Sequence, residues 1–511
     1  MKEFQLSKSL ISILNLSEIK YLRKRLCLKV KAIEEQSIAL AFFDAILNNS
    51  TIGIKAVSYL LYNKNNETSL RKLCQRLNDR ILDVFYISEL NDKDSKLEDR
   101  SKSILSFERN ILLVDILRYR GLFKESDQIL NEIIISSKEY EAFDILIFAL
   151  NKKRFRSIDI LSKKELLFLD KEITHFQKLA IAVSTSKKIF RDLIVSQDNI
   201  KQKELNNNYI KSISIVSNLY KRFKNNTIKY YLLSMKSDYE SIQNQNAKSI
   251  EICDELLTLI LENKNIYSRN RLGTAYLHKA LYLRNSKKFD KVLDALHKGE
   301  ELLSRLPQTK IVAYYQIAIY YFITGDLKKF KHYLNIANLV DFNLITLKMK
   351  ERLFYLNSLS FFIDSKFREA NSTLDVLLSL GQDDFNFDLD KKLLQIMINV
   401  ELGNFDLCDK LIENFRKFVN SKSDYLNNSI LSKYILKVLY QIKKSGYNFE
   451  NLSSIVYDYL KVLEETLDYK NDFLLPFTPW FTAKANNVPY NHKAAMEKIV
   501  DSCKMEQLEV A

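Results

Sequence analysis

Glycine and proline are nearly missing from this chain, at 8 and 4 of 511 residues, where average usage gives roughly 35 and 25. Sheet-rich folds need these residues for frequent tight turns, so their scarcity argues against all-β architectures and for long helices with short connections. Asparagine is plentiful and can fill the turn and C-cap positions that glycine leaves vacant. The scattered glycines form no GxxxxGK[ST] and no GxGxxG, the loops whose bare backbone wraps phosphates, which excludes the common nucleotide sites. Histidine is also scarce, at 5 residues, and no HExxH occurs. A helical di-metal site needs two Glu-x-x-His pairs with further carboxylates. Here Glu172 and His175 form one such pair, read as neighbours on an exposed helix face, while His278, His297, His332 and His492 stand alone. The cysteines Cys27, Cys74, Cys253, Cys408 and Cys503 are far apart and contain no CxxC, so neither a zinc ribbon nor a redox motif is indicated and they read as small core residues.

Long apolar runs are missing too. The most apolar windows, such as Ile311 to Thr324, fall short of the roughly 18 residues that a membrane span needs. Met1 to Ser9 carries charge at once and does not read as a secretory signal. A soluble, cytoplasmic protein with no membrane span is expected. No cofactor is indicated, and with no catalytic constellation in sight the chain is expected not to be an enzyme; an enzyme without a recognisable motif is the remaining alternative in that class.

What the chain does contain is positive charge and helical periodicity. Lys and Arg number 78 against 63 Asp and Glu, a net charge of +15 and a pI near 9.2. Such a balance favours acidic partners, nucleic acid among them. The competing explanation is an AT-rich genome that fills solvated helix faces with lysine, in keeping with the abundance of Lys, Asn, Ile, Tyr and Phe. Three clusters concentrate the charge: Lys20, Arg23, Lys24, Arg25 and Lys29; Lys152, Lys153, Arg154 and Arg156; and Lys221, Arg222 and Lys224. Each has an aromatic beside it, in Tyr21, Phe155 and Phe223. Cations interleaved with aromatics can grip phosphates and stack bases, but the same cations also suit helix ends and solvated faces.

Aligned on the turns between paired helices, four successive stretches fall into register. One runs through Tyr314, Ile317, Ala318 and Tyr321, turns at Gly325, and continues with Leu327, Phe330, Leu334 and Ala337. The stretch before it has Tyr276, Ala280 and Leu283, a turn at Lys287, then Phe289, Val292, Leu296 and Gly299. The one after has Phe354, Ser358, Phe361, Ser365, Phe367, Ala370, Leu374 and Leu377. A fourth has Ile396, Gly403, Phe405, Cys408, Ile412 and Phe415, and a weaker, earlier unit has Leu113, Val114, Leu117, Gly121, Phe123, Ser126, Leu130 and Ile133. Small residues let two helices approach, and the aromatic after the turn plugs the gap between neighbouring units.

This order of large, small and aromatic residues resembles the tetratricopeptide repeat, although the turns recur every 38 to 40 residues rather than about every 34. The resemblance implies an all-α α-solenoid of stacked antiparallel helix pairs. Leu16 to Leu22, Leu402 to Phe405 and Trp480 to Lys484 further resemble uncharacterised tetratricopeptide-repeat proteins of Bacteroidota, a family with no established activity to carry over. In repeat proteins of this kind the first helix of each pair lines the concave wall. Carried onto this chain, the wall comprises Leu277, Leu281, Arg284, Tyr315, Ile319, Phe322, Arg352, Tyr355, Leu359 and Phe362. The Asn and Lys pattern that clamps a peptide carboxylate is absent. An apolar wall of this size needs a cover: a segment of another protein, a homodimer mate, or the chain's own tail around Trp480.

The expected organisation is an N-terminal helical module over 1–104, ending in a polar linker from Asn91 to Lys102. Degenerate helical hairpins follow over 105–260, tetratricopeptide-like repeats over 261–420 and a helical pair over 421–470. A tail over 471–511 closes the chain, extended through its prolines to Tyr490 and helical from about His492 to Met505. The function expected is a non-enzymatic scaffold that binds a partner segment in the groove; the alternative is a basic helical-repeat factor associated with RNA or DNA.

Overall fold

The scarcity of helix breakers is realised as helix after helix. The computed structural model of the chain describes residues 1–27, 38–49, 51–91, 98–156, 162–196, 202–303, 307–380, 385–421, 429–449, 456, 458–459, 477–498 and 500–501; among them there is no strand. The chain divides into two compact units, Met1–Ile160 and Leu161–Ala511.

The first unit holds α1 (Lys2–Ser12), α2 (Leu16–Cys27), α3 (Ile38–Asn48), α4 (Ile54–Tyr62) and α5 (Glu67–Asn91), followed by α6 (Asp99–Tyr119), α7 (Phe123–Glu139) and α8 (Phe143–Arg156). Phe4, Leu22, Phe42, Phe43, Leu70, Cys74 and Ile81 form one buried core among α1 to α5. Of the expected linker Asn91 to Lys102, Asn91 and Asp99 to Lys102 are helical and 92–97 lie outside the described residues, and the boundary drawn at residue 104 falls inside α6.

The second unit is the α-solenoid. It comprises α9 (Lys163–Ser196), α10 (Gln202–Phe223), α11 (Asn226–Ile242), α12 (Asn246–Glu262), α13 (Arg269–Asn285), α14 (Phe289–Leu302), α15 (Pro307–Ile323), α16 (Leu327–Asn338), α17 (Leu347–Ile363), α18 (Phe367–Ser379), α19 (Phe385–Glu401), α20 (Phe405–Ser421), α21 (Ser429–Lys444) and, in the tail, α22 (Phe477–Ala485). Neighbours pack as antiparallel pairs, α11 on α12, α13 on α14, α15 on α16, α17 on α18 and α19 on α20, and successive pairs stack. Side-chain caps start several helices: the oxygens of Asn225, Ser268, Asp326 and Thr346 accept from the amides of Ile228, Arg271, Lys329 and Met349, satisfying amides that the first turn leaves without partners.

Each expected turn residue takes the left-handed conformation that ends a helix: Gly121 (φ 81°), Lys287 (59°), Gly325 (77°), Ser365 (57°) and Gly403 (73°). Where the helices of a pair cross, the residue seven before the turn meets the residue five after it. The Ser126 hydroxyl donates to the Val114 carbonyl at 2.9 Å, and the Ser358 hydroxyl donates to the Ala370 carbonyl at 2.8 Å. A hydroxyl reaches the opposite backbone because a small serine stands at each crossing. A further pair in the same register, α11 and α12, turns at Asn244 (φ 66°). Its interior positions are filled by Ser237, Asn246, Ser249, Cys253 and Leu256, all buried.

Glycine lets α13 and α14 approach closely. A Cβ on Gly273 would lie 2.9 Å from the Gly299 carbonyl oxygen, and one on Gly299 would lie 2.7 Å from Leu277 Cδ2. Gly273→Val is therefore expected to force α13 from α14 and to cost about 1–3 kcal/mol. That outweighs the roughly 1 kcal/mol at most that leaving glycine gains in helix propensity. Thermal unfolding checks it: an unchanged midpoint would mean that the two backbones are not in contact.

The tail departs from the expected extended form. Residues 477–485 are helical although Pro479 lies among them, because a proline in the first turn removes an amide that has no intrahelical acceptor there. Of the helix expected from about His492 to Met505, residues 492–498 are helical and 502–505 fall outside the described residues, as do Asn471 to Pro476.

Candidate functional site

The wall residues are not open to solvent. Leu277, Arg284, Tyr315, Ile319, Phe322, Tyr355, Leu359 and Phe362 are buried, and Leu281 and Arg352 are partly so. Much of this burial comes from neighbouring helices. Arg352 lies over the Tyr315 ring at 5.7 Å, Arg284 donates to Gln316 Oε1 at 3.2 Å, and Tyr355 meets Phe387 edge-on. The burial also raises the Tyr355 phenol well above its ordinary range, a shift to which the charge of Asp390 adds.

At Phe322 and Phe362 the cover is the chain's own tail. The Trp480 indole N–H donates to Glu401 Oε1 at 2.6 Å, and the Lys484 ammonium donates to Glu401 Oε2 at 2.8 Å. The indole packs on Phe362, Phe449 and Phe477. Farther along, Tyr490 reaches Phe362, and the His492 ring lies 4.3 Å from the Phe322 ring. The Gly325 turn is close enough that a Cβ there would sit 3.1 Å from the Lys493 carbonyl oxygen. Glu401, Phe362 and Phe322 stand at or next to the ends of α19, α17 and α15. The tail is thus a strap that crosses the ends of three successive first helices in reverse chain order.

His492 is buried, 2 % exposed. Its Nε2 faces the Phe322 carbonyl oxygen at 2.9 Å and so carries the proton, which leaves Nδ1 to accept from the Tyr490 hydroxyl at 2.8 Å. Burial pulls the imidazole down to about 4, with the Phe322 carbonyl opposing in part. Burial likewise raises the Tyr490 phenol well above its ordinary range, keeping it a donor.

The basic clusters occupy helix ends and exposed faces. In the first unit Lys20, Arg23, Lys24 and Arg25 are exposed on α2. Arg23 pairs with Asp44 at 2.8 Å, and Arg25 lies over Tyr21 at 5.8 Å. Lys152 pairs with Asp115 at 2.6 Å and lies over Phe148, Lys153 donates to Asn131, and Arg154 lies over Phe155; Arg156 ends α8. Lys29 falls outside the described residues. In the second unit Lys221, Arg222 and Lys224 are exposed at the end of α10, with Arg222 over Phe223 at 5.2 Å and Lys224 over Tyr220 at 5.6 Å. Lys221 also borders a cleft of about 820 Å³ between α10, α11 and α12, whose walls carry Ile213, Tyr239, Lys236, Lys248 and Glu240. Lys248 and Glu240 approach to 3.6 Å there, so the cleft is mixed in charge.

Glu172 is partly buried and His175 exposed on α9. Cys74, Cys253 and Cys408 are buried, and Cys27 is exposed. Among the described residues no group of three or more His, Cys, Asp or Glu is placed to hold a metal ion, and no helix is long and apolar enough to cross a membrane. Glu401 and His492, which make the strap's polar contacts, are not marked by local pattern. Their partners lie 79 and 170 residues away.

Comparison of the chain with protein-family models, with curated proteins and with solved structures finds no match.

Proposed function

We propose that this chain is a non-enzymatic interaction scaffold of the tetratricopeptide kind, which holds a segment of another protein against the first helices of its stacked pairs. The observation that carries this reading is the strap. The repeats already hold one segment by the means used for peptide ligands: aromatic side chains in apolar seats, flanked by a few convergent hydrogen bonds. Stacked repeats also offer long continuous surfaces of the kind that binding proteins use.

A second reading, association with RNA or DNA, draws on the cation–aromatic pairs at Tyr21, Phe148, Phe155, Tyr220 and Phe223. One experiment separates the two. The full chain is used for affinity capture from lysate at low and moderate salt, with and without nuclease, and recovered proteins are mapped by cross-linking. Proteins that survive both treatments and cross-link to α15, α17 or α19 are expected. Recovery of nucleic acid alone, lost as salt rises, would overturn the scaffold reading in favour of the second.

A further inference from the structure

The strap is peptide-like in its energetics. Its helix α22 spans 9 residues, below the roughly 12–15 that give even marginal helicity in water, so its order comes from the repeats on which it lies. The seat for its polar groups is also unusual. Glu401 is the last residue of α19, where the helix dipole disfavours a carboxylate, and its side chain is 13% exposed. Both donors that compensate this carboxylate, Trp480 and Lys484, come from the strap and lie one helical turn apart. A carboxylate at that place raises the energy of the bare repeats and lowers it when a paired aromatic N–H and ammonium arrive. It reads the segment more than it stabilises the helix.

We propose that the strap is an intramolecular occupant of the partner site, and that the partner is a protein segment presenting an aromatic N–H donor with a lysine one helical turn later, both read by Glu401. This rests on the scaffold reading and deepens it. A tethered strap acts at an effective concentration on the order of millimolar, so the partner binds weakly until the strap is loosened. Occupancy is therefore self-limiting, and weakening the strap raises affinity in trans.

The test uses a fluorescent peptide of residues 477–498 as the probe and full-length chains throughout, read by anisotropy. The Lys484→Ala chain, whose altered side chain is already partly exposed, is expected to bind the peptide about tenfold or more tightly than the unaltered chain, the scale of one charge-assisted hydrogen bond. Adding Glu401→Gln is expected to abolish that gain. Trp480→Phe provides a second way to loosen the strap while keeping an apolar ring in the seat. No peptide binding by either loosened chain overturns the proposal, as does binding unaffected by Glu401→Gln. Light scattering on the same samples addresses the other occupant: a concentration-dependent dimer that the peptide dissolves would assign the site to a second copy and overturn the foreign partner. Peptide exchange read by Glu401 alongside lysate capture of nucleic acid alone would leave the strap's exchange standing while the scaffold reading falls. The reverse pair of results would do the opposite.

Discussion

Trp480→Ala is expected to lower the local stability of the strap by about 3–5 kcal/mol, the range for truncating a buried large aromatic. Trp480 is the only tryptophan and is 1 % exposed. Its loss empties a seat among Phe362, Phe449, Phe477 and Phe481 and leaves Glu401 with Lys484 as its remaining strap donor. Repeat arrays lose stability locally, because each unit contacts only its neighbours. Hydrogen exchange is therefore a better measure than a global midpoint. Amide protection is expected to fall by about two to four orders of magnitude over 477–485, the decades equivalent to that energy. Smaller losses are expected at the ends of α15, α17 and α19, with no change in α6 to α8. Trp480→Phe separates the contributions. It keeps most of the apolar contact and removes the N–H, so a loss of about 1–3 kcal/mol, the cost of an orphaned buried acceptor, is expected. Equal losses for the two variants would place the whole effect in the hydrogen bond, and protection unchanged by Trp480→Ala would show that the strap does not dock through its indole.

The turn register is legible in the sequence because each turn imposes a local demand. A left-handed residue needs glycine or a tolerant substitute, and each crossing has at least one small residue, in Ser126, Ala280, Ala318, Ser358 with Ala370, and Cys408, so Gly121, Lys287, Gly325, Ser365 and Gly403 stand out together. The pair α11 and α12 obeys the same geometry but fills it with Ser237, Asn246, Ser249 and Cys253. Polar residues at interior positions hide a repeat from a pattern built on apolar ones. The wall shows the opposite difficulty. Tyr315, Ile319 and Phe322 lie beside a second apolar stripe of Tyr314, Ile317, Ala318 and Tyr321, so α15 is apolar nearly all round. Such a helix is a buried one. That signal is present in the sequence, and it weighs against an open groove more strongly than repeat analogy weighs for one. The strap's docking carries no comparable local signal, since Trp480 to Glu401 and His492 to Phe322 are long-range contacts that only the assembled fold brings together.

Acid is expected to loosen the strap through His492. The imidazole stands at about 4 in the folded chain against about 6.5 when unfolded, so between those values the detached strap binds more protons than the docked one. Stability from the neutral, buried ring is therefore fully present above about pH 6.5 and is lost as pH falls toward 4, by about 3 kcal/mol in all. The mechanism is local. A proton on Nδ1 would place a cation in an apolar setting between the Phe322 ring and Tyr490, whose phenol burial keeps neutral. His278 acts with the opposite sign. Burial lowers its pKa, but the Asp238 hydrogen bond and charge more than offset this and raise it overall; its contribution is lost as pH rises and cannot produce a loss on acidification. The sole tryptophan makes the event visible, because Trp480 lies on the same strap. Its emission is expected to shift to the red between pH 6.5 and 4 while far-UV circular dichroism keeps the helical signal of the repeats. His492→Gln keeps a donor within reach of the Phe322 carbonyl and removes the titration, so its red shift is expected to vanish over that interval. A shift of equal size in His492→Gln would assign the acid response to carboxylates and remove His492 from the account.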